Sequence, residues 1–75
     1  MHMQQTAVKL GMVVSVTMHG LHCRGIVVGN GELAGAWVLT IQSEDGFMVT
    51  VDWAKSPEVS LVAESSDDLH HLEPA

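Results

Sequence analysis

The stretch Met12-Val-Val-Ser-Val-Thr-Met18 alternates between two faces with the two-residue period of a half-buried β-strand. One face carries only valine and methionine, whereas the other includes Ser15 and Thr17. The same alternation recurs in three later runs, residues 37–42, 47–53 and 59–63. Residues 23–28 are apolar and β-branched, and Gly25 within them predicts a bend or a bulge. The sequence therefore predicts five short strands.

Turn-forming residues separate these runs. We expect a turn at residues 19–22, a longer loop from Gly29 through Gly35, a tight hairpin at Ser43-Glu-Asp-Gly46 and a break at Lys55-Ser-Pro57. Gly46 suits the hairpin because glycine adopts positive φ without steric cost. Ser65-Ser-Asp-Asp-Leu69 predicts one helical turn, with Ser65 or Ser66 as its N-cap, ahead of a short closing strand at residues 70–72. Short strands with short loops suit a small closed or nearly closed barrel.

The spacing of glycines and valines resembles that of small bacterial SH3-like barrels. Such domains often open with a glycine, a strand of valines, a glycine turn and a Gly-Ile/Val-Val strand. The matching residues here are Gly11-Met-Val-Val-Ser-Val16, Gly20 and Arg24-Gly-Ile-Val-Val-Gly29, followed by Val49-Thr-Val-Asp-Trp53 and Asp68-Leu69. The resemblance implies an all-β fold, a five-stranded SH3-like barrel with one short helical turn near the C-terminus. It specifies a fold far better than a function.

The resemblance divides the chain into three parts. Residues 11–72 form the barrel, and residues 73–75 form a C-terminal tail. Residues 1–10 are expected to be an N-terminal segment that is partly vector-derived or flexible. Plasmid-borne type II dihydrofolate reductases are similar in length, in barrel type and in the glycine spacing of the first strands. Their pore-lining Val-Gln-Ile-Tyr stretch is replaced here by residues 49–53, so the resemblance does not extend to their activity.

Composition narrows the classes of partner. The 75-residue chain has 47% hydrophobic residues and a single cysteine, Cys23, which excludes an internal disulfide and favours a cytoplasmic homo-oligomer. Its net charge is −6, and residues 56–75 contain no Lys or Arg. Three scattered basic residues cannot supply the phosphate contacts of nucleic-acid binding. No apolar run approaches the roughly 20 residues that cross a bilayer, so we expect no membrane partner.

Histidine and cysteine side chains offer a weak candidate metal site. His19, His22 and Cys23 are close in sequence, and imidazole and thiolate are zinc ligands. The spacing matches no known zinc finger, and adjacent residues of a strand point to opposite faces. We therefore interpret His19 and His22 as exposed turn residues and Cys23 as a small buried hydrophobe. The sequence predicts neither a metal nor a cofactor, and it shows no catalytic constellation.

Tryptophan and acidic residues are the candidates for partner binding. Trp37 and Trp53 lie on the apolar faces of their strands, so they belong either to the core or to an interface. Glu64, Asp67 and Asp68 would steer a basic partner by charge. These residues predict a non-catalytic SH3-like module that binds a protein or a small molecule, the latter lodged at a subunit interface.

Two other functions remain open from the sequence. The first is a small enzyme whose site is formed by subunit symmetry around a pore, with Thr50, Asp52 or His22 as lining residues. A central cavity lined by such polar groups would distinguish it. The second is an acidic inhibitor protein from a mobile genetic element, which would bind a basic protein as a monomer or dimer.

Overall fold

The chain forms five antiparallel strands in one sheet, in a computed structural model that describes residues 2–66. The strands are β1 (Val13–Met18), β2 (Leu21–Leu33), β3 (Ala36–Ser43), β4 (Met48–Asp52) and β5 (Glu58–Ala63). Short 3-10 turns occupy Gln5–Ala7 and Trp53–Lys55. The strand order is β4-β3-β2-β1-β5, so the chain returns from one edge of the sheet to pair β5 with β1. The prediction of a small all-β fold with five strands is confirmed.

Strand β2 is long because it pairs with two neighbouring strands. Its residues 21–26 pair with β1, and its residues 25–33 pair with β3. The register shifts between Val27 and Gly29, so the bulge lies at Val28 and not at Gly25. Position 25 requires glycine for a steric reason. An added Cβ there would lie 2.2 Å from the backbone oxygen of Gln42, so the close approach of β3 excludes any side chain.

The connections between β1 and β4 are tight hairpin turns. His19-Gly20 and Ala34-Gly35 each provide two consecutive residues with positive φ, the combination typical of type I′ hairpins. The prediction of a long loop from Gly29 through Gly35 is therefore wrong, because β2 continues to Leu33. Glycine has no side chain to reveal strand alternation, so this part of β2 carried no strand signal. The hairpin predicted at Ser43–Gly46 is confirmed by the 2.9 Å bond from Gly46 N to Ser43 O.

A 3-10 turn, Trp53–Lys55, precedes the last described strand. Asp52 Oδ1 accepts a 2.8 Å hydrogen bond from Ala54 N, and this bond caps the turn. The predicted break at Lys55-Ser-Pro57 coincides with the end of this turn and the approach to β5. Most of the helical turn predicted at residues 65–69, and all of the strand predicted at 70–72, lies outside the described residues.

The core lies on one face of the sheet and is entirely aliphatic. It consists of Val8, Val14, Val16, Val27, Leu39, Ile41, Val51 and Val59. No polar or charged residue among residues 2–66 is buried. The alternation of β1, β3 and β4 places Val14, Val16, Leu39, Ile41 and Val51 inward, as the sequence predicts. The described residues also contain no helix long and apolar enough to cross a membrane.

The N-terminal segment packs against the core side of the sheet. Val8 is only 4% exposed and joins the core. Met3 N donates a 2.7 Å hydrogen bond to Val59 O on β5, and Gly11 N donates a 2.9 Å bond to Val27 O on β2. These contacts were not expected from the sequence, which predicted a partly vector-derived or flexible segment over residues 1–10.

Candidate functional site

Both tryptophans of the chain line the same pocket. Trp37 is the second residue of β3, and Trp53 opens the 3-10 turn that follows β4. Because β3 and β4 are antiparallel neighbours, the start of one strand lies beside the end of the other. The two indoles border a pocket of about 480 Å³, here called the tryptophan pocket, with Gln5, Gly35, Ala36, Asp52 and Ala54.

Neither tryptophan is buried. Trp37 is 51% exposed, and Trp53 is partly buried against the core. Both lie on the apolar faces of their strands, which left the sequence unable to separate core from interface. Leu39, two residues after Trp37 on the same face, is fully buried. The apolar face of β3 therefore begins outside the core, and the indole of Trp37 is the first apolar side chain on it.

A single amide holds Trp53 in place. Trp53 Nε1 donates a 2.9 Å hydrogen bond to Asn30 Oδ1 on β2. Asn30 Nδ2 donates two further bonds of 2.9 Å, to the carbonyl oxygens of Gln5 and Val8. Asn30 thus joins β2, the N-terminal segment and the wall of the tryptophan pocket. Sequence reasoning missed this residue because Gly29-Asn-Gly31 has the composition of a turn.

The charges around the tryptophan pocket are acidic. Of the described residues that line it, Asp52 is the single charged one, and none is Lys or Arg. Asp52 Oδ1 is occupied by the cap bond to Ala54 N. Glu32 lies directly opposite Trp37 in the pairing of β2 with β3, so both side chains leave the same face of the sheet. The pocket therefore combines two aromatic rings with a negative electrostatic environment.

The predicted steering acids are only partly within the described residues. Glu64 is exposed and follows directly after β5. Asp67 and Asp68 lie outside the described residues. Glu64 is not among the residues that line the tryptophan pocket, and its role in partner capture stays a prediction.

The histidines and the cysteine do not converge. His19 is exposed in the β1–β2 turn with φ of 53°. His22 Nε2 is hydrogen-bonded to Ser15 Oγ on β1. Cys23 pairs with Val16 and packs against the core on the same face, so its neighbour His22 points to the opposite face, as alternation requires. Within residues 2–66 no three His, Cys, Asp or Glu side chains are grouped to hold a metal ion.

The side chains considered for a symmetric pore have separate surroundings in one subunit. Thr50 Oγ1 lies 3.2 Å from Thr40 Oγ1 on the outer face of the sheet. Asp52 caps the 3-10 turn, and His22 is bonded to Ser15. A second depression of about 450 Å³ lies beside Cys23 and Phe47, and it is lined by the Arg24–Glu44 ion pair and by Asp45.

Comparisons with known proteins found no match for this chain, whether among protein-family models, curated proteins or solved structures. Function is therefore inferred from the geometry of the described residues. The strongest feature of that geometry is the tryptophan pocket, with Trp37 half-exposed and Trp53 fixed by Asn30.

Proposed function

We propose that this protein is a non-catalytic binding module of SH3-like type, with the tryptophan pocket as its recognition site. The observation that carries the proposal is that the chain's two tryptophans line one open pocket, with Trp37 51% exposed. An indole offers a large rigid contact area at a low cost in side-chain entropy, and tryptophan dominates the binding energy of many interfaces. A half-exposed Trp37 leaves that area available to a partner.

The path of the chain supports the SH3-like assignment. Strands β1 to β4 follow one another as hairpin neighbours, and β5 returns to pair with β1 after a 3-10 turn. The bulge at Val28 lets β2 bend as it passes from β1 to β3. The five antiparallel strands are consistent with the small barrel that the sequence resemblance implies.

The chemistry of the lining residues favours binding over catalysis. Among residues 2–66, the lining of the tryptophan pocket includes no serine, cysteine, histidine or lysine. Asp52 is the one ionisable residue of that described lining, and it caps the 3-10 turn. Covalent or general acid–base chemistry needs a nucleophile or a matched proton donor and acceptor. The pocket instead offers aromatic surface and one carboxylate.

The outer face of β2, β3 and β4 supports the homo-oligomeric part of the proposal. Paired residues on this face are Val38 with Asp52, Thr40 with Thr50 and Gln42 with Met48. Gly29 and Gly31 extend the face across β2, and apart from Asp52 these paired residues are uncharged. Thr40, Thr50, Gln42 and Met48 are uncharged, so two copies of an acidic chain can meet at these residues across a two-fold axis without charge repulsion. We propose a second copy as its occupant.

Native mass spectrometry tests the oligomer. Met48→Glu places a charge on the outer face, and Leu10→Glu is a matched change of an exposed apolar residue in the N-terminal segment. We expect a dimer or larger closed assembly for the wild type and for Leu10→Glu, and a monomer for Met48→Glu. A wild-type monomer at micromolar concentration would contradict the proposed oligomer.

Selection of ligands from a random displayed-peptide library tests the recognition site. Peptides enriched on the wild-type protein should lose at least tenfold in affinity for Trp37→Ala, since removing a central aromatic contact costs well over 1 kcal/mol. Phe47→Ala is the matched control, because Phe47 is 71% exposed beside the other depression. The proposal would be wrong if the enriched peptides bound Trp37→Ala as tightly as the wild type.

A further inference from the structure

The geometry points to a specific occupant of the tryptophan pocket, an arginine side chain on an exposed segment of a partner protein. This inference rests on the proposed function and adds the chemistry of the partner. Four features of the pocket support it: the aromatic surface, the surrounding charges, the hydrogen-bonding capacity of Asp52 and the exposure of the pocket to solvent.

The aromatic surface is suited to a cation. Tryptophan has the strongest cation–π attraction of the aromatic side chains, when a cation lies over its ring face. The polar edge of Trp53 is already occupied by Asn30 Oδ1, so the ring can offer a ligand only its apolar surface. Trp37 supplies a second indole that is half-exposed to solvent. Two indoles at one pocket provide cation–π contacts that an anion cannot use.

The surrounding charges favour the same sign of ligand. Asp52 lines the pocket, and Glu32 faces Trp37 across the β2–β3 pair. No Lys or Arg side chain lines the pocket, and the whole chain has a net charge of −6. A cationic ligand would therefore gain from both local and long-range attraction, whereas an anionic ligand would be repelled.

Asp52 distinguishes a guanidinium from an ammonium. Its Oδ1 accepts the bond from Ala54 N, and both residues line the pocket. A carboxylate can accept further bonds at both oxygens, and the fork of an arginine matches that geometry. A guanidinium also stacks flat on an indole and sheds water at lower cost than an ammonium. Arginine can thus use the ring and the carboxylate at once.

The openness of the pocket indicates a protein partner and not a free small molecule. Sites for small ligands enclose most of the ligand surface, about 70–90% of it. Here Trp37 is itself 51% exposed, so the pocket covers only one end of a ligand. Leu33 pairs with Ala36 at the β2–β3 turn next to Trp37 and is 64% exposed. A partner segment can cover Leu33 while its arginine enters the pocket.

Titration of the indole emission with defined peptides tests this inference. The chain has no tyrosine, so its emission reports the two tryptophans. The probe is the acetylated, amidated heptapeptide Gly-Leu-Gly-Arg-Gly-Leu-Gly. Its companions carry citrulline or lysine in place of arginine, and N-acetyl-arginine amide represents the free small molecule. We expect the arginine peptide to bind at least tenfold more tightly than the citrulline peptide, and several-fold more tightly than the other two.

Variants locate the binding. Asp52→Asn removes the charge but keeps an oxygen that caps Ala54 N, so the 3-10 turn is preserved. Asp45→Asn removes an equal charge in the β3–β4 hairpin. We expect Asp52→Asn to lower the affinity for the arginine peptide at least fivefold. Asp45→Asn should leave that affinity within twofold of the wild-type value.

Equal binding of the arginine and citrulline peptides would overturn the inference, as would equal effects of the two aspartate variants. Tight binding of N-acetyl-arginine amide would overturn the assignment to a protein partner. In each case, library-selected peptides that still require Trp37 would show that the binding module itself stands. Loss of that requirement would instead refute the proposed function, so the two failures are distinguishable.

Discussion

Trp53 Nε1 lies 2.9 Å from Oδ1 of Asn30, and this one hydrogen bond connects the wall of the tryptophan pocket to the middle of β2. The same amide donates to the carbonyls of Gln5 and Val8. Asn30 therefore uses both of its donor hydrogens and one acceptor site between three parts of the chain. The indole of Trp53 is oriented by this bond before any partner arrives.

The first prediction concerns Asn30. Asn30→Asp keeps the acceptor for Trp53 but removes both donations and sets a carboxylate against two carbonyl oxygens. We expect the free energy of unfolding to fall by about 2–4 kcal/mol, because two hydrogen bonds are lost and polar groups are left unpaired. Urea denaturation measures the change. Gln4→Glu, an amide-to-acid change at an exposed residue without a capping bond, should alter it by less than about 0.5 kcal/mol.

The second prediction concerns the crossing point of β2. Gly25→Ala places a methyl carbon 2.2 Å from Gln42 O, so the two strands must separate. We expect a loss of about 3 kcal/mol or more, or failure to fold, as for other severe steric conflicts. Gly31→Ala is the control, because its methyl group meets nothing within 4 Å. Equal thermal midpoints for the two variants would show that β3 does not approach Gly25 as closely as described.

The third prediction concerns the β2–β3 turn. Ala34 has φ of 53°, a left-handed conformation that costs an L-residue with a Cβ about 1–2 kcal/mol. Ala34→Gly should therefore raise the free energy of unfolding by roughly 0.5–1 kcal/mol, since the unfolded chain gains freedom and offsets part of the relief. Ala36→Gly, two residues later in β3, should lower it. A stabilising Ala36→Gly together with a destabilising Ala34→Gly would contradict the assigned turn.

The fourth prediction concerns charge steering by the acidic segment after β5. A triple variant, Glu64→Gln with Asp67→Asn and Asp68→Asn, should slow association of the arginine heptapeptide by roughly two- to tenfold at low salt. The effect should shrink at 0.15 M salt, where the Debye length is about 8 Å. Temperature-jump relaxation of the indole emission gives the rate. An association rate unchanged at low salt would remove these three residues from partner capture.

The strand pattern was predictable from the sequence because aliphatic alternation is a direct consequence of burying one face. Met12 to Met18 and Trp37 to Gln42 show this period, and both segments form the expected strands. The second half of β2 was not predictable in the same way. Gly29 and Gly31 carry no side chain to alternate, and Asn30 is polar because it bonds to Gln5, Val8 and Trp53.

The two tryptophans of the candidate site were predictable from the sequence, but Asn30 and the geometry of the site were not. Trp37 and Trp53 stand out as the chain's two tryptophans, yet only the antiparallel register of β3 and β4 brings them to one pocket. In the sequence, Asp52 is one polar residue of an alternating strand. Its capping bond to Ala54 N could not be predicted, because it depends on where the strand ends. The packing of Val8 also escaped prediction, since a single valine in a polar segment has no periodic neighbours.

The most direct test of the central claim is a two-dimensional ¹H–¹⁵N spectrum of the indole region during titration with a library-selected peptide. Trp37 and Trp53 give the two indole N–H signals, which Trp37→Phe assigns. The account predicts that the Trp37 signal shifts and saturates with the peptide's measured affinity, while the hydrogen-bonded Trp53 signal shifts less. Saturation of backbone signals around Phe47 or elsewhere, with both indole signals unmoved, would contradict the tryptophan pocket as the binding site.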